Sequence, residues 1–195
     1  RQSDLKGMIA YSSSSHRGVV LLGIATLNQI GRTGAVMQMV AHGLVAGILF
    51  LLIGLLYERT HTRDINDYSS LVRTMPRFAF FTVLAFVGAV GMPGTAGFVA
   101  ELHAIVGGFA RWGWTVVLLS IGVMISAAYA IRTIGRLFTG PVSRKMQGIE
   151  DLRSSEMAAA GFLSIGIMFF GIFPATALDM MSASIVQIST LFTGS

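Results

Sequence analysis

The chain has 195 residues, of which 53% are hydrophobic and only 12% charged, with mean hydropathy +0.71, net charge +5 and no cysteine. An average soluble domain carries about a quarter charged residues, so half that share, with long uncharged runs, points to a chain that crosses a membrane several times. The lack of cysteine excludes a disulfide frame and thiolate-held metals or iron–sulfur clusters, and the basic residues sit in gaps between apolar runs instead of in one patch, which argues against nucleic acid.

Six helices are expected in chain order. The first, Met8–Leu27, is diluted by "AYSSSSHRG". The second, Gly34–Leu56, is almost wholly apolar and closes on "YERTHTRD"; a polar loop follows to Arg77. The third, Phe78–Met92, ends at Pro93. The fourth, Gly97–Phe109, is too short to cross a core of about 30 Å at 1.5 Å per residue. The fifth runs from Trp112 to about Phe138, stopped by Gly140–Pro141, and the sixth from about Met157 to Phe173, stopped by Pro174. Residues 1–174 thus form a transmembrane bundle, and 175–195 an amphipathic or interfacial tail. Runs without a period of two exclude a barrel, and lipid leaves helices as the alternative: the expected fold is an all-α integral membrane bundle with a discontinuous helix. If each run is one crossing, Arg1, Lys6, Arg59, Arg63, Arg73, Arg77 and Arg111 lie on one face and Arg32, Arg132, Arg136, Arg144, Lys145 and Arg153 on the other. The positive-inside rule then reads as a near tie.

Inside the runs, Glu101 stands out. A carboxylate at the centre of a membrane helix costs about 2.5–3.5 kcal/mol on insertion scales. Gly94, Gly97, Ala104 and Gly108 share its helical face, and a small-residue face lets another backbone or a file of water approach. The "MPGTAG" break just before it frees backbone groups, which membranes tolerate only against protein or a wet cavity. The plainer reading is a carboxylate solvated at the headgroups. His42 lies deep in the second run with Gln38 one turn earlier on its face; an imidazole can pass a proton through either nitrogen, or simply bond a neighbouring carbonyl. His16 shares a face with Ser12 and Ser13, as part of a polar seam or of a helix-packing surface, and Arg17 beside it is unusual for a membrane interior. His103, two residues from Glu101, points to roughly the opposite side. Nothing resembles a phosphate loop, a dinucleotide fingerprint, a metal-ligand cluster or a nucleophile–base pair.

Three stretches, "DLKGMIAYSSSSHRG", "GAVMQMVAHGLVAGILFLLIGLLYERTHTRD" and "GMPGTAGFVAEL", resemble the second half of the antiporter-like subunit 4 (subunit M) family of respiratory complex I. That family reads roughly D-(L/I)-K-x-x-I-A-Y-S-S-x-S-H-M-G, then Q-M-(I/V)-(A/S)-H-G-L, then Y-(E/D)-R-x-H-(T/S)-R, then G-(M/L)-P-G-T-x-x-F-x-G-E-F. The likeness runs from Ser3 to about Phe109 and continues more weakly to "GIFPATALD". It implies a proton-translocating membrane-arm subunit of an NADH:quinone oxidoreductase, in a bacterial cytoplasmic or mitochondrial inner membrane. By resemblance, Glu101 takes the position of the glutamate on the family's second discontinuous helix, and His42 and His16 those of its two buried histidines. Arg17, where the family has methionine, His103, where an apolar residue is usual, and Gln38 are possible modulators.

The same resemblance implies no cofactor in this chain, with FMN and iron–sulfur clusters elsewhere in the complex. It implies membrane-arm subunits and lipid as partners, among them a separate chain with the family's first repeat, whose glutamate and lysines are not in this sequence. A first residue that is Arg1 fits a processed chain or a piece of a longer one. The alternatives are a structural, non-conducting half-subunit and a subunit of a multisubunit cation/proton antiporter.

Overall fold

A computed structural model describes residues 3–142 and 146–193, and among them regular structure is helical apart from one isolated bridge between Asp4 and Asp64. Asp4 starts α1 (Leu5–Ala25) by accepting from the Lys6 and Gly7 N–H groups at 2.8 and 3.1 Å, an N-cap that sets the start earlier than the apolar run. Asn28 does the same for α2 (Gln29–Thr60), accepting from Gly31 N–H at 2.8 Å, and α2 ends where His61 turns left-handed at φ 51°. A 3-10 turn (Ile65–Asp67) and a short α3 (Leu71–Thr74) fill the expected polar loop. Pro76 then opens α4 (Pro76–Ala89) at the one helical position that needs no N–H. The remaining helices are α5 (Ala96–Trp112), α6 (Thr115–Phe138), α7 (Ser154–Ile172) and α8 (Pro174–Thr193).

Three of these, α2, α6 and α7, are long and apolar enough to cross a membrane, and α4 is a shorter apolar helix. With 21 residues α1 is long enough, but its serines, His16 and Arg17 make it too polar to qualify by composition. α8 rests Ala177, with Leu178 and Met181, against Met37 and Ala41 of α2 and Ala96 and Ala100 of α5.

The third and fourth expected runs form one crossing, the expected discontinuous helix. Asp151 caps the start of α4, its carboxylate accepting from Arg77 N–H at 2.8 Å and Phe78 N–H at 3.1 Å. At the far end of α5, Asn28 Nδ2 donates to the Gly107 carbonyl at 2.8 Å, beside the start of α2. Between them, Gly97 sits directly on the Gly88 carbonyl. α4 and α5 therefore run on in one direction through a break at residues 90–95, as a single discontinuous passage.

This corrects the charge count, because every helix after the break changes direction. Backbone bonds from Leu5 to Arg63 and from Ile65 to Ser3, a side-chain bond from Ser69 to the Pro141 carbonyl, and the Arg59–Glu156 pair gather these loops at one end. Among the described residues that end holds Lys6, Arg59, Arg63, Arg73, Arg77, Arg136 and Arg153, with Arg132 a turn inside; the other holds Arg32 and Arg111. Arg1, Arg144 and Lys145 lie outside the described residues. What looks like a tie in the sequence is a strong asymmetry, which puts the loop-rich end on the cytoplasmic or matrix side.

The loop-rich end is also where the largest side chains are fully buried, among them Leu52, Leu56, Leu71, Met75, Phe78 and Leu152. Arg59 ties the end of α2 to the start of α7, reaching Glu156 at 2.6 Å and the Glu150 carbonyl at 3.0 Å. Tyr68 seals the loop, donating to the Thr62 carbonyl at 2.6 Å. Burial pushes its phenol above the usual range, partly offset by the bond with Thr60.

Among the described residues the most extensive helix-to-helix contact is between α2 and α5. A Cβ on Gly34 would lie 2.5 Å from Ala104 N and 3.0 Å from the Ala100 carbonyl; one on Gly107 would lie 2.5 Å from Gly31 Cα. Backbone meets backbone here, the arrangement small residues allow between helices in lipid.

Two outcomes follow from this architecture. Gly34→Ala and Gly107→Ala each lower the thermal stability of the purified protein by about 1–3 kcal/mol, the range of overpacking. Gly43→Ala and Gly54→Ala, whose added Cβ meets nothing within 4 Å, are nearly neutral. Because the chain has no cysteine, single cysteines report topology cleanly: in intact membranes Glu58→Cys reacts with an impermeant maleimide only from the cytoplasmic or matrix side, and Ala110→Cys only from the opposite side.

Candidate functional site

α1 and α2 bring three polar side chains together below the α2–α5 contact. His16 is buried, and the Gln38 amide nitrogen donates to its Nδ1 at 3.1 Å. With Nδ1 accepting, the neutral ring carries its proton on Nε2. The His42 ring lies 5.1 Å from that of His16, centroid to centroid, tilted by 32°. His16 Nε2, Gln38 Oε1 and His42 Nδ1 are buried with no hydrogen-bond partner among the described residues. A buried polar atom left unpaired costs about 1–3 kcal/mol, so three in one cluster call for water or a neighbouring group.

Glu101 enters from α5. Its side chain is 8% exposed and makes no hydrogen bond or ion pair among the described residues. The break between α4 and α5 shapes its seat. Gly91 adopts φ +69°, and a Cβ there would lie 2.5 Å from Glu101 Oε2. The glycine thus serves twice, permitting the left-handed turn and leaving room for the carboxyl.

His16 and Glu101 line one cleft of about 200 Å³, with Ser15 of α1 and Gly122 and Ser126 of α6. Each water takes about 30 Å³ in the liquid, so the space suits several. Ser15 and Ser126 hydroxyls bond at 2.9 Å, and the cleft continues between α1 and α6 past Ser12 and Tyr129. Farther on, Tyr129, Asn66, Arg132 and Arg136 line a cavity of about 380 Å³ at the loop-rich end. Carboxyl, imidazole, hydroxyl and room for water form a set suited to proton exchange.

Of the residues singled out from sequence, His16, Gln38 and His42 meet directly, and Glu101 joins His16 at the cleft. His103 does not: its Nδ1 bonds the Val99 carbonyl of its own helix at 2.8 Å, and it does not line the cleft. Arg17 points outward, beside His42. Sequence reasoning missed Ser126, Tyr129 and Gly91. Their signal was faint: Gly122, Ser126, Tyr129 and Thr133 fall on one face of α6 at helical spacing.

The "NADH:quinone oxidoreductase/Mrp antiporter, TM" family model matches residues 1–126. The chain belongs to that family. Subunit M of the NADH-quinone oxidoreductase of Rhodobacter capsulatus is 37% identical over 188 residues, covering 96% of this chain and 37% of that protein. A chain in the respiratory complex I of Thermus thermophilus with bound NADH superposes with TM-score 0.87 at 31% identity, over 96% of this chain and 40% of that one. The Mrp complex from Dietzia sp. contains a chain that superposes at 0.85 but with 19% identity, over 96% of this chain and 43% of its own length, a likeness of fold alone. The chain spans less than half the length of these proteins. The all-α membrane fold and the antiporter-like resemblance read from sequence both stand.

The seat of Glu101 has a direct test. Gly91→Ala and Gly94→Ala both place an L residue at positive φ, a strain of about 1–3 kcal/mol, but only at Gly91 does the new Cβ meet the carboxyl. In the purified protein, thermal stability falls further in Gly91→Ala than in Gly94→Ala, because only the Gly91 methyl displaces the buried carboxyl. Equal loss in the two removes the role given to Gly91.

Proposed function

We propose that this chain is a proton-translocating part of a membrane-arm subunit in a complex I-type oxidoreductase. Protons pass through His42 and His16 to Glu101, with water between His16 and the carboxyl. The observation that supports this most is the cleft shared by His16 and Glu101, with the His42 ring 5.1 Å from that of His16 on the far side and buried polar atoms left unpaired among the described residues. Gln38 orients His16 and selects its tautomer. The α1–α6 seam, lined by Ser12, Ser15, Ser126 and Tyr129, is the wet approach from the positively charged end.

In this reading the driving reaction, NADH oxidation and quinone reduction, takes place in other subunits that hold the FMN and iron–sulfur clusters, and this chain binds no redox group. Its partners are neighbouring membrane-arm subunits and a chain with the family's first repeat. The setting is a bacterial cytoplasmic or mitochondrial inner membrane. The cation/proton antiporter alternative has fold likeness at 19% identity, against 31% and 37% for the oxidoreductase relatives. That difference favours the oxidoreductase.

The test is Glu101→Gln in the complete complex, with electron transfer and proton uptake measured in the same vesicles. Coupled proton translocation falls about tenfold or more, which corresponds to ~1.4 kcal/mol on the barrier, while assembly is retained. Unchanged protons per electron and unchanged turnover would instead favour the structural, non-conducting half-subunit.

A further inference from the structure

Among the described residues, Arg17 is the cation deepest in the bundle, and the proposed proton route leaves it unused. It lies eight residues before the end of α1, about 12 Å by helical rise, and about 18 Å from the start of the helix. Its side chain is exposed and makes no hydrogen bond or ion pair among the described residues. Helical side chains lean toward the N-terminus, so Arg17 leans away from the nearer membrane surface. The farther surface is beyond the reach of one side chain. Snorkelling therefore works against the geometry, and a guanidinium held at depth needs water, a carbonyl or an anion, of which only the anion also balances its charge.

The surroundings describe that anion. Arg17 opens onto a cavity of about 430 Å³ between α1 and α2, walled by Val20, Leu21 and Met39 and by the rings of His16 and His42. Leu21 and Met39 are exposed, and His42 Nδ1 is buried without a partner among the described residues. The cavity has greasy walls, one unpaired cation and one unpaired ring nitrogen. Among the described residues no carboxylate lines it, and Glu101 faces the separate cleft on the α6 side. A second copy of this face would bring a second Arg17, so charge rules out self-association through it. An acyl chain satisfies the walls but neither polar group.

We propose that this cavity docks a membrane-spanning helix that carries an Asp or Glu at mid-depth, paired with Arg17 and seated beside His42. The helix belongs to another part of the assembly, and the family members matched here have well over half their length outside the matched region. The inference is independent of whether His42 conducts protons.

The experiment places a photo-crosslinking residue at Met39 in the complete assembly, irradiates native membranes and identifies the adduct by peptide mass spectrometry. The expected adduct is a transmembrane helix with an Asp or Glu at the matching depth. Its yield falls about tenfold or more in Arg17→Met, as when one member of a buried interfacial ion pair is removed. Arg17→Lys keeps most of the yield, and neutralising the partner carboxylate together with Arg17→Met restores it. A second crosslinker at Met124, exposed on α6, reports that the fold is unchanged in each variant. An adduct inside the same polypeptide assigns the helix to this subunit, and one to a separate polypeptide assigns it to a neighbour; either supports the pairing. Adducts with lipid alone, with a helix lacking a carboxylate, or with a yield indifferent to Arg17→Met overturn it.

Discussion

The close approach of α2 and α5 is the constraint on which the rest of this structure depends. Lipid tails are as apolar as leucine, so burying aliphatic surface does not by itself bring helices together in a bilayer. Gly31, Gly34 and Gly107 let the two backbones touch, and Asn28 locks them by accepting from Gly31 and donating to Gly107. That lock orients both helices about their axes. Gln38 and His42 of α2 are thereby turned toward α1, and Glu101 of α5 toward the cleft that α1 and α6 close.

A membrane interior makes the polar cluster costly, and the fold shows how that cost is spread. Gln38 satisfies one nitrogen of His16, and Ser15 and Ser126 satisfy each other. Of the groups left unpaired among the described residues, His16 and His42 border cavities, where water or a neighbouring helix can reach them. At the loop-rich end the logic reverses. There Asp151 caps α4, Glu156 holds Arg59 and a dense aliphatic core packs beneath them, so one end is a packed anchor and the polar seam starts beside it.

Much of this was legible in the sequence, for identifiable reasons. A carboxylate in an apolar run is conspicuous, and so is a Pro–Gly break before it; Glu101 and the discontinuous passage were both readable. His16 and His42 were visible for the same reason. The direction of a helix after a break is not written in its own periodicity, and so the charge count came out as a tie until α4 and α5 were seen in line. Gln38 shares a face with His42 on α2, yet it bonds His16 of α1, a contact set by how two helices approach each other. Ser126 and Tyr129 are ordinary residues in a membrane helix, and only the neighbouring Ser15 and Ser12 give them meaning.

The central claim is that water connects His16 to Glu101 through the cleft. A cryo-EM map of the complete assembly, at a resolution that shows ordered water, tests it most directly. The account predicts water density within hydrogen-bonding distance of His16 Nε2 and of the Glu101 carboxyl, joined in a continuous file. A cleft filled by side chains or acyl density, with no water between the two groups, would contradict it.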